Sequence, residues 1–301
     1  MTQFLEKAKE RFPERKILVE EPMKNHTTFR IGGPAEYYVC PNAAELPGLL
    51  LLAEECGLSV TVIGNGSNLL VGDKGIRGLV IEIGTGMNEV RIEGEYLIAG
   101  AGALLSKAAS EAAAAGLGGM EFAAGIPGSI GGAVTMNAGA YGGEMKDILV
   151  SACVLLPDGS MQEISAEELE LSYRHSCIPE RGYLVTEAKM KLFAKPEEEV
   201  RAEMADLRNR RVEKQPLEYP SAGSTFKRPE GYFAGKLIMD AGLRGYAVGG
   251  AQVSEKHCGF VINRGGATAA DVRNLMQDVQ EKVQEAFGIW LEPEVKMIGD
   301  F

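Results

Sequence analysis

The sequence has few of the residues that build metal centres or disulfide frameworks. Its 301 residues include five cysteines, three histidines and one tryptophan. No two cysteines share a C-x-x-C spacing and their number is odd, which argues against a zinc site or a disulfide framework. The histidines are His26, His175 and His257, too far apart to suggest a metal centre. We therefore expect a reduced, cytoplasmic protein without a metal.

Long apolar runs and an excess of basic charge are also missing. The apolar stretch 46–53 is broken by Pro47 and Gly48 and is shorter than the roughly 20 residues of a membrane-spanning helix. The N-terminus lacks the apolar centre of a signal peptide. The formal net charge is −11, and no basic face typical of nucleic-acid binders is visible. We expect neither a nucleic-acid nor a membrane partner, and nothing in the sequence requires an oligomer.

The order of the predicted elements favours an α+β fold, because many short strands and few helices alternate without a βαβ rhythm. Helices are predicted over 1–20, 42–56, 104–115, 195–216 and 268–288. Strands are predicted over 37–40, 59–63, 69–71, 78–83, 89–93, 96–99, 148–156, 161–164, 183–193 and 291–299. Asn42 and Glu45 resemble a capping box, and Pro47 predicts a kink or a late helix start. In the last helix, Thr268 and Asp271 predict an N-terminal cap and Gly288 predicts the end. Its apolar face is predicted from the helical spacing of Val272, Leu275, Met276, Val279, Val283 and Phe287.

Glycine is the residue in excess, with 38 copies gathered in clusters. The first cluster, GNGSNLL at 64–70, follows a predicted strand, and Gly64 and Gly66 allow positive φ so that successive N–H groups can face one anion. A pyrophosphate would fit there without a lysine. The loop matches neither G-x-G-x-x-G nor a P-loop, and an ordinary glycine hairpin is an equally good interpretation.

The second cluster, AAGIPGSIGGAVTMNAGAYGG at 123–143, contains seven glycines. A packed helix or strand does not need that density, whereas a main chain wrapped closely around an elongated cofactor does. Ser129 is placed to cap a short helix whose N-terminus faces a phosphate. The apolar residues Ile126, Ile130 and Val134 argue against a flexible linker, so this segment predicts ligand wrapping.

Three further segments are ambiguous when taken singly. The segment SAGSTFKRP at 221–229 holds two hydroxyls before two cations, yet it also fits an ordinary loop. Arg174 in SYRHS could clamp a carboxylate or form a surface ion pair. Glu294 in LEPEVKMIG could be catalytic at a strand end or lie on an exposed rim.

In this order, the five segments and the preceding NHTTFRIGGPA resemble the UDP-N-acetylenolpyruvoylglucosamine reductase (MurB) family, from about residue 20 to the C-terminus. The resemblance implies an FAD-binding domain of the vanillyl-alcohol-oxidase type, with two subdomains, followed by a smaller α+β substrate-binding domain. We expect the first domain to span 1–195, split near 85, and the second 196–301. The last strand, about 291–301, could return to the first domain.

The same resemblance implies the activity and the site. NADPH and FAD would reduce a UDP-sugar enolpyruvyl ether to UDP-N-acetylmuramate for the bacterial cell wall. The implied catalytic residues are Ser224, Arg174 and Glu294, and the implied substrate contacts are Lys214, Arg228 and Gln252. The implied cofactor-binding residues are Gly64, Asn65, Gly66, Ser67, Asn68, Gly125, Ile126, Pro127, Gly128, Ser129, Gly132 and Ala133. Arg228 replaces an asparagine of some members, and the chain resembles the shorter branch that lacks an extra substrate-covering tyrosine loop.

Two other functions are compatible with the residues. One is an FAD-dependent oxidase of the same cofactor fold that uses an alcohol and oxygen. Covalent flavin attachment through His or Cys is disfavoured, because the glycine segment contains neither. The other is a non-catalytic nucleotide-binding module, which would bind no flavin or hold a flavin that NADPH cannot reduce.

Overall fold

The computed structural model describes residues 2–301, and its elements are those of an α+β protein. The strands are β1 Leu18–Pro22, β2 Pro34–Val39, β3 Val60–Ile63, β4 Leu69–Val71, β5 Ile76–Glu82, β6 Val90–Glu93, β7 Tyr96–Gly100, β8 Leu117–Gly118, β9 Gly139–Ala140, β10 Gly143–Glu144, β11 Leu149–Leu155, β12 Met161–Ser165, β13 Leu184–Lys191, β14 Phe193–Ala194, β15 Ala247–Val248, β16 Ala251–Val253, β17 Val261–Asn263 and β18 Lys296–Ile298. The helices are α1 Gln3–Arg11, α2 Leu46–Glu55, α3 Leu105–Ala114, α4 Ile130–Thr135, α5 Glu197–Lys214, α6 Ala234–Asp240 and α7 Ala269–Phe287.

The N-terminal helix is shorter than the sequence predicts. The expected helix over 1–20 is wrong beyond Arg11, where α1 ends. Phe12 precedes Pro13, and a proline ring disfavours helical backbone in the residue before it. The residues from Leu18 to Pro22 instead form β1, which pairs antiparallel with β2.

The start of α2 confirms the predicted capping box and the late start. The Glu45 N–H donates to Asn42 Oδ1 at 3.1 Å, and the Asn42 N–H donates to Glu45 Oε2 at 2.9 Å. The helix begins at Leu46, so Pro47 lies in its first turn. A proline is tolerated there because the N–H that it lacks would have no partner within the helix.

Packing divides the chain into two compact units, each assembled from three stretches. The first contains the N-terminal stretch up to Ile17 together with 39–65 and 80–211. The second contains Leu18–Tyr38, Gly66–Leu79 and Val212–Phe301. The domain boundaries expected near 85 and at 195/196 stay predictions.

The first unit is built on a five-stranded antiparallel sheet with the order β12-β11-β13-β7-β6. Helix α4 packs on β13 and β7, and α3 packs on β6 and β7. The alanine-rich helix α3 buries Leu105, Ala108 and Ala112 completely. The small alanine side chains let the helix lie close to the sheet. In the chain, this helix precedes the second glycine segment.

In the second unit, α7 packs on the three-stranded antiparallel sheet β15-β16-β17, and α6 packs on α7. The predicted apolar face of α7 is confirmed for Val272, Leu275, Met276, Val279 and Val283, which are buried in one cluster. It is wrong for Phe287, which lies at the end of the helix and is 41% exposed. In the same unit β18 pairs in parallel with β4, with Met297 opposite Leu70.

Both ends of α7 have the predicted caps. Thr268 and Asp271 form a reciprocal capping box, and Gly288 ends the helix in the left-handed conformation at φ 70°. Asp73 adds a cap that the sequence did not reveal, because its carboxylate accepts the N–H groups of Ala269 and Ala270 at 2.7 and 2.9 Å. Two side chains therefore satisfy the first-turn N–H groups of the helix that carries most of this core.

Replacing Thr268 with alanine should destabilise the protein by about 1 kcal/mol, the usual cost of losing an N-cap hydroxyl. The Asp271 N–H, which donates to Thr268 Oγ1 at 3.0 Å, would lose its partner. Urea unfolding followed by circular dichroism measures the change. Thr268→Ser keeps the hydroxyl and serves as the control. Equal stability of the alanine and serine variants would contradict the role of this cap.

Candidate active site

The first glycine loop, residues 64–68, is held by contacts that need glycine. In the first unit, Asn65 Nδ2 donates to the Pro127 carbonyl at 2.7 Å, which joins two of the predicted cofactor segments. In the second unit, Gly66 has φ 61° and a Cβ there would lie 1.9 Å from the His26 carbonyl oxygen. The main chain at Gly66 therefore admits no side chain, and its positive φ is the one that the sequence predicts. The same prediction is wrong for Gly64, whose φ is not positive.

The second glycine segment lies against the end of β7 and the turn after it. The Ile130 and Gly131 N–H groups donate to the Ala103 and Ala101 carbonyls, both at 2.8 Å. A Cβ at Gly131 would lie 2.9 Å from the Ala101 side chain. The segment is thus a tightly packed part of the first unit, which confirms that it is not a flexible linker.

Ser129 stands at the N-cap of α4, where a short helix was expected, but its side chain makes no capping bond. The first-turn N–H groups of Ile130 and Gly131 already have carbonyl partners, so the expected use of those two N–H groups for a phosphate is wrong. The Ser129 hydroxyl is buried, has no hydrogen-bond partner within the described residues and faces Gly64, where a Cβ would lie 2.4 Å from Oγ.

Buried polar atoms in proteins are almost always hydrogen-bonded. A buried hydroxyl without a partner, beside a glycine that leaves room in front of it, fits a polar group of a bound ligand. The residues of the two glycine segments in this unit therefore fit a dinucleotide cofactor, and the role of Ser129 in binding it stays a prediction. Gly125, Ile126, Gly128, Gly132 and Ala133 belong to the same segment, and Ser67 and Asn68 follow Gly66 in the second unit.

Arg174 lies in a tight turn of the first unit. Ser172 and His175 exchange backbone hydrogen bonds across the turn, at 3.1 and 3.2 Å. Arg174 has φ 54°, which is uncommon for a residue with a side chain. Its guanidinium is half-buried, lies 5.3 Å from the centre of the Tyr173 ring and donates from Nη2 to the Gly139 carbonyl at 3.2 Å. The guanidinium is thus fixed beside the second glycine segment.

Ser224 and Glu294 are carried by two paired segments of the second unit. The Glu294 N–H donates to the Thr225 carbonyl at 2.9 Å, and the Lys227 N–H donates to the Glu292 carbonyl at 2.8 Å. This pairing explains why the closing strand predicted over 291–299 is shorter than expected: residues before Lys296 pair with the serine segment instead. The structure therefore brings together the segments of two predicted catalytic residues.

The two side chains have different surroundings. Ser224 is exposed, whereas the neighbouring Thr225 is buried and its Oγ1 accepts the Val261 N–H at 2.9 Å. Glu294 is only 8% exposed, and its carbonyl accepts Asn68 Nδ2 at 3.0 Å. The bonds of Thr225 fix the backbone next to Ser224, and the bond from Asn68 fixes the backbone at Glu294.

The predicted substrate contacts all lie in the second unit. Lys214 is exposed at the end of α5. The Arg228 guanidinium is 3.9 Å from the centre of the exposed Phe233 ring, a distance at which cation and ring attract one another. Gln252 donates to the Gly245 carbonyl at 3.0 Å, while its Oε1 is buried without a partner in residues 2–301. Gln252 therefore has a free acceptor of the kind that a substrate donor would satisfy.

Two further polar residues escaped the sequence analysis. Arg211 lies 3.3 Å from the Cβ position of Gly125 and has no hydrogen bond or ion pair within the part of the chain described. Burial lowers the pKa of its guanidinium. Gln215 has a buried Oε1 that lacks a partner among the described residues. Both lie at the end of a charged helix, so composition gave no signal that distinguished them from solvated residues.

Residues 2–301 contain neither a metal cluster nor a membrane-spanning helix. No group of three or more His, Cys, Asp or Glu side chains is arranged to hold a metal ion. No helix in the same range has the length and apolar character needed to span a membrane.

Two family models match the chain. One, described as an FAD binding domain, matches residues 34–165. The other, described as the C-terminal domain of UDP-N-acetylenolpyruvoylglucosamine reductase, matches residues 215–298. Together with the solved structure below, they confirm the predicted α+β fold with an FAD-binding domain followed by a second domain.

Full-length relatives give the same result. The UDP-N-acetylenolpyruvoylglucosamine reductase of Agathobacter rectalis is 60% identical over 99% of both chains. The protein of the same name from Lachnoclostridium phytofermentans is 54% identical, over 95% of this chain and 94% of its own. The crystal structure of the reductase (MurB) from Thermus caldophilus matches with a TM-score of 0.80 at 38% identity, covering 94% of this chain and 98% of that one.

Replacing Gly64 with alanine should weaken flavin binding, because the new Cβ would lie 2.4 Å from the buried Ser129 hydroxyl. Overpacking of this kind costs about 1–3 kcal/mol. Titration of apoprotein with FAD, followed by flavin fluorescence, measures the affinity. Ser129→Ala should also weaken binding, but the double variant should lose less than the sum of the two, since the clashing atom is gone. Strictly additive losses would show that Gly64 and Ser129 do not share a site.

Proposed function

The chain belongs to the UDP-N-acetylenolpyruvoylglucosamine reductase family, and from that premise we propose how its own residues carry out the reaction. The protein is an FAD-dependent oxidoreductase that uses NADPH to convert the enolpyruvyl ether of UDP-N-acetylglucosamine to UDP-N-acetylmuramate in peptidoglycan synthesis. The roles of the residues rest on one observation above all, the pairing that holds the segments of Ser224 and Glu294 side by side. We further propose a cytoplasmic location, which suits the five free cysteines.

The two glycine segments are proposed to hold FAD. When bound, FAD accepts a hydride from NADPH and supplies one to the methylene carbon of the enol ether. Ser129 would donate or accept a hydrogen bond through its unpartnered hydroxyl. Gly64, Gly66 and Gly125 would let the main chain approach the cofactor without interference from side chains.

Arg174 is proposed to bind the carboxylate of the enolpyruvyl group. Hydride addition places negative charge on the neighbouring carbon, from which it spreads onto that carboxylate. A guanidinium presents N–H donors in a planar fork that matches two carboxylate oxygens. Because the Arg174 guanidinium already donates to Gly139, it would meet the developing charge with little reorganisation, which is how preorganised donors lower a barrier.

Ser224 is proposed to deliver the proton that completes the reduction. Serine is a weak acid, but the carbon that carries the new electron pair is a strong base, so the transfer is favourable. The exposed hydroxyl of Ser224 is free to turn toward a substrate, while the buried Thr225 beside it fixes the backbone. The proton from Ser224 and the hydride together add two hydrogen atoms across the double bond.

Glu294 is proposed to support the same charge, although an ionised carboxylate would repel it. It helps only as a protonated donor or through a donor that it orients. Glu294 is only 8% exposed, so its side chain lies close to the groups that surround it. The substrate contacts proposed on chemical grounds are Lys214 and Arg228, which suit anionic groups, and Gln252, whose free Oε1 suits a donor.

The oxidase and the non-catalytic module lose their support once the family is known. Relatives of 60% and 54% identity over nearly the whole chain carry the reductase name. The decisive experiment incubates the purified protein with NADPH and the enolpyruvyl sugar nucleotide, and identifies the product by mass spectrometry. NADPH consumption that depends on the sugar nucleotide, with a product heavier by two hydrogens, is expected. Consumption that depends on oxygen and a simple alcohol would favour the oxidase instead.

Ser224→Ala should leave the reduction of bound flavin by NADPH intact but slow the reoxidation of the flavin by substrate. The loss of a placed donor costs on the order of 10²-fold or more in rate. Stopped-flow absorbance of the flavin band separates the two half-reactions. Ser221→Ala is the matched control, because it removes a hydroxyl from the same segment but leaves the Ser221 carbonyl, which accepts from Thr28. An unchanged reoxidation rate would remove Ser224 from the mechanism.

A further inference from the structure

Asn137 is a buried residue of the second glycine segment that the mechanism above does not use. Its side chain is 0% exposed, and its backbone has φ 43°. The side-chain amide makes three hydrogen bonds. Nδ2 donates to the Ser172 carbonyl at 2.9 Å and to Glu144 Oε2 at 2.7 Å, and Oδ1 accepts the Lys146 N–H at 2.9 Å. Both donor positions of the amide are thereby used, so little freedom is left for this side chain.

One of these bonds reaches the turn that carries Arg174. Ser172 opens that turn, and Asn137 holds its carbonyl from the glycine segment. The Arg174 guanidinium contacts the same segment at the Gly139 carbonyl, two residues beyond Asn137. A third tie follows the turn, where Ser176 Oγ donates to the Thr135 carbonyl at 2.5 Å. Residues 135–139 therefore make three hydrogen bonds to the arginine turn and its flank, at Ser172, Arg174 and Ser176.

The turn needs such support because Arg174 adopts a positive φ. A left-handed conformation costs a residue with a side chain roughly 1–2 kcal/mol, so neighbouring contacts must hold it. Asparagine tolerates the left-handed region better than most residues, which suits Asn137 at φ 43°. A displacement of about 1 Å in a positioned group can cost 10²-fold in rate. The contact of Asn137 with the turn thus bears on how accurately the guanidinium is placed.

We propose that Asn137 is a positioning residue, which fixes the Ser172 carbonyl and thereby the arginine turn for carboxylate binding. This inference rests on the proposed role of Arg174. It assigns Asn137 no contact with substrate. A purely structural role would instead make Asn137 a stabiliser of the glycine segment through Glu144 and Lys146, without any specific effect on the step that uses Arg174.

The first test is Asn137→Asp. Aspartate has nearly the same shape, tolerates the left-handed region and keeps the acceptor for Lys146, but it cannot donate to Ser172. Stopped-flow absorbance should show reoxidation of the reduced flavin by substrate slowed by about 10-fold to 10²-fold. Reduction by NADPH and the flavin content of the purified protein should stay within about twofold of wild type. An equal loss in both half-reactions would overturn the proposal.

A reciprocal exchange separates stability from positioning. Aspartate at position 137 would lie against the Glu144 carboxylate, so the single variant could be destabilised by repulsion. Combining Asn137→Asp with Glu144→Gln restores a donor–acceptor pair between the two positions and keeps the net charge. The thermal midpoint should recover toward wild type, while reoxidation should remain slow because the Ser172 carbonyl still lacks its donor. Recovery of the rate along with the midpoint would show that Asn137 acts through Glu144 alone.

A double-mutant cycle with Arg174 identifies the route of the effect. If Asn137 acts through Arg174, Asn137→Asp should slow reoxidation in the wild-type background and have almost no further effect in Arg174→Ala. Hydrogen exchange supplies a readout that needs no turnover: the N–H groups of Ser172 and His175, bonded across the turn, should exchange faster in Asn137→Asp.

The outcomes distinguish this inference from the proposed function. If Arg174→Ala reoxidises at the wild-type rate, the proposed role of Arg174 fails, whatever Asn137 does. If Arg174→Ala is slow but Asn137→Asp slows it equally again, or leaves exchange at the turn unchanged, only the positioning role of Asn137 is overturned.

Discussion

The structure depends on the close approach of main chain to main chain that glycine allows. A Cβ would lie 1.9 Å from a carbonyl oxygen at Gly66 and 2.9 Å from a neighbouring side chain at Gly131, so neither position has room for one. Such packing brings backbone groups within reach of a ligand without side chains in between. It also accounts for the bond between Asn65 and the Pro127 carbonyl, which fixes one glycine segment against the other in the first unit. An acidic chain can bind an anionic dinucleotide in this way without a basic surface.

The proposed catalytic groups share a second constraint, which is that bonds to neighbouring segments fix the backbone that carries them. Ser224 directly precedes Thr225, whose side chain bonds to β17 and whose carbonyl bonds to the segment of Glu294. Arg174 occupies a positive-φ position that the neighbouring glycine segment supports. Local strain is commonly retained where the surrounding contacts determine the conformation and function requires it. These contacts fix the backbone at the positions that are proposed to react.

The sequence predicted the elements whose signals are local. The capping pairs at Asn42 and Thr268 and the helix end at Gly288 were found as expected, as was the apolar face of α7 except for the exposed Phe287. Proline accounts for the main error, since the amphipathic pattern of residues 1–20 hid the helix end before Pro13. The closing strand was overestimated because its first residues pair with the distant serine segment, a contact that periodicity does not reveal.

The sequence pointed to some residues of the candidate site and not to those that support them. Glycine density and the order of motifs pointed to both cofactor segments and to Ser224, Arg174 and Glu294. The supporting residues were missed, because Asn137, Arg211 and Asp73 act on segments far away in the chain and are ordinary residues within their own stretches. The sequence correctly predicted that Ser129 stands at the start of α4, but not that its side chain makes no capping bond. Only the fold shows that the Ala103 and Ala101 carbonyls accept the first N–H groups of this helix.

The visible absorbance of the purified protein tests the central claim, that a glycine-lined main chain holds a flavin that reacts with a nicotinamide donor and an enolpyruvyl sugar nucleotide. The account predicts a yellow protein whose flavin bands are bleached by NADPH in the absence of oxygen and restored by the sugar nucleotide. A colourless protein that binds no added FAD would contradict it, as would bound flavin that NADPH cannot reduce.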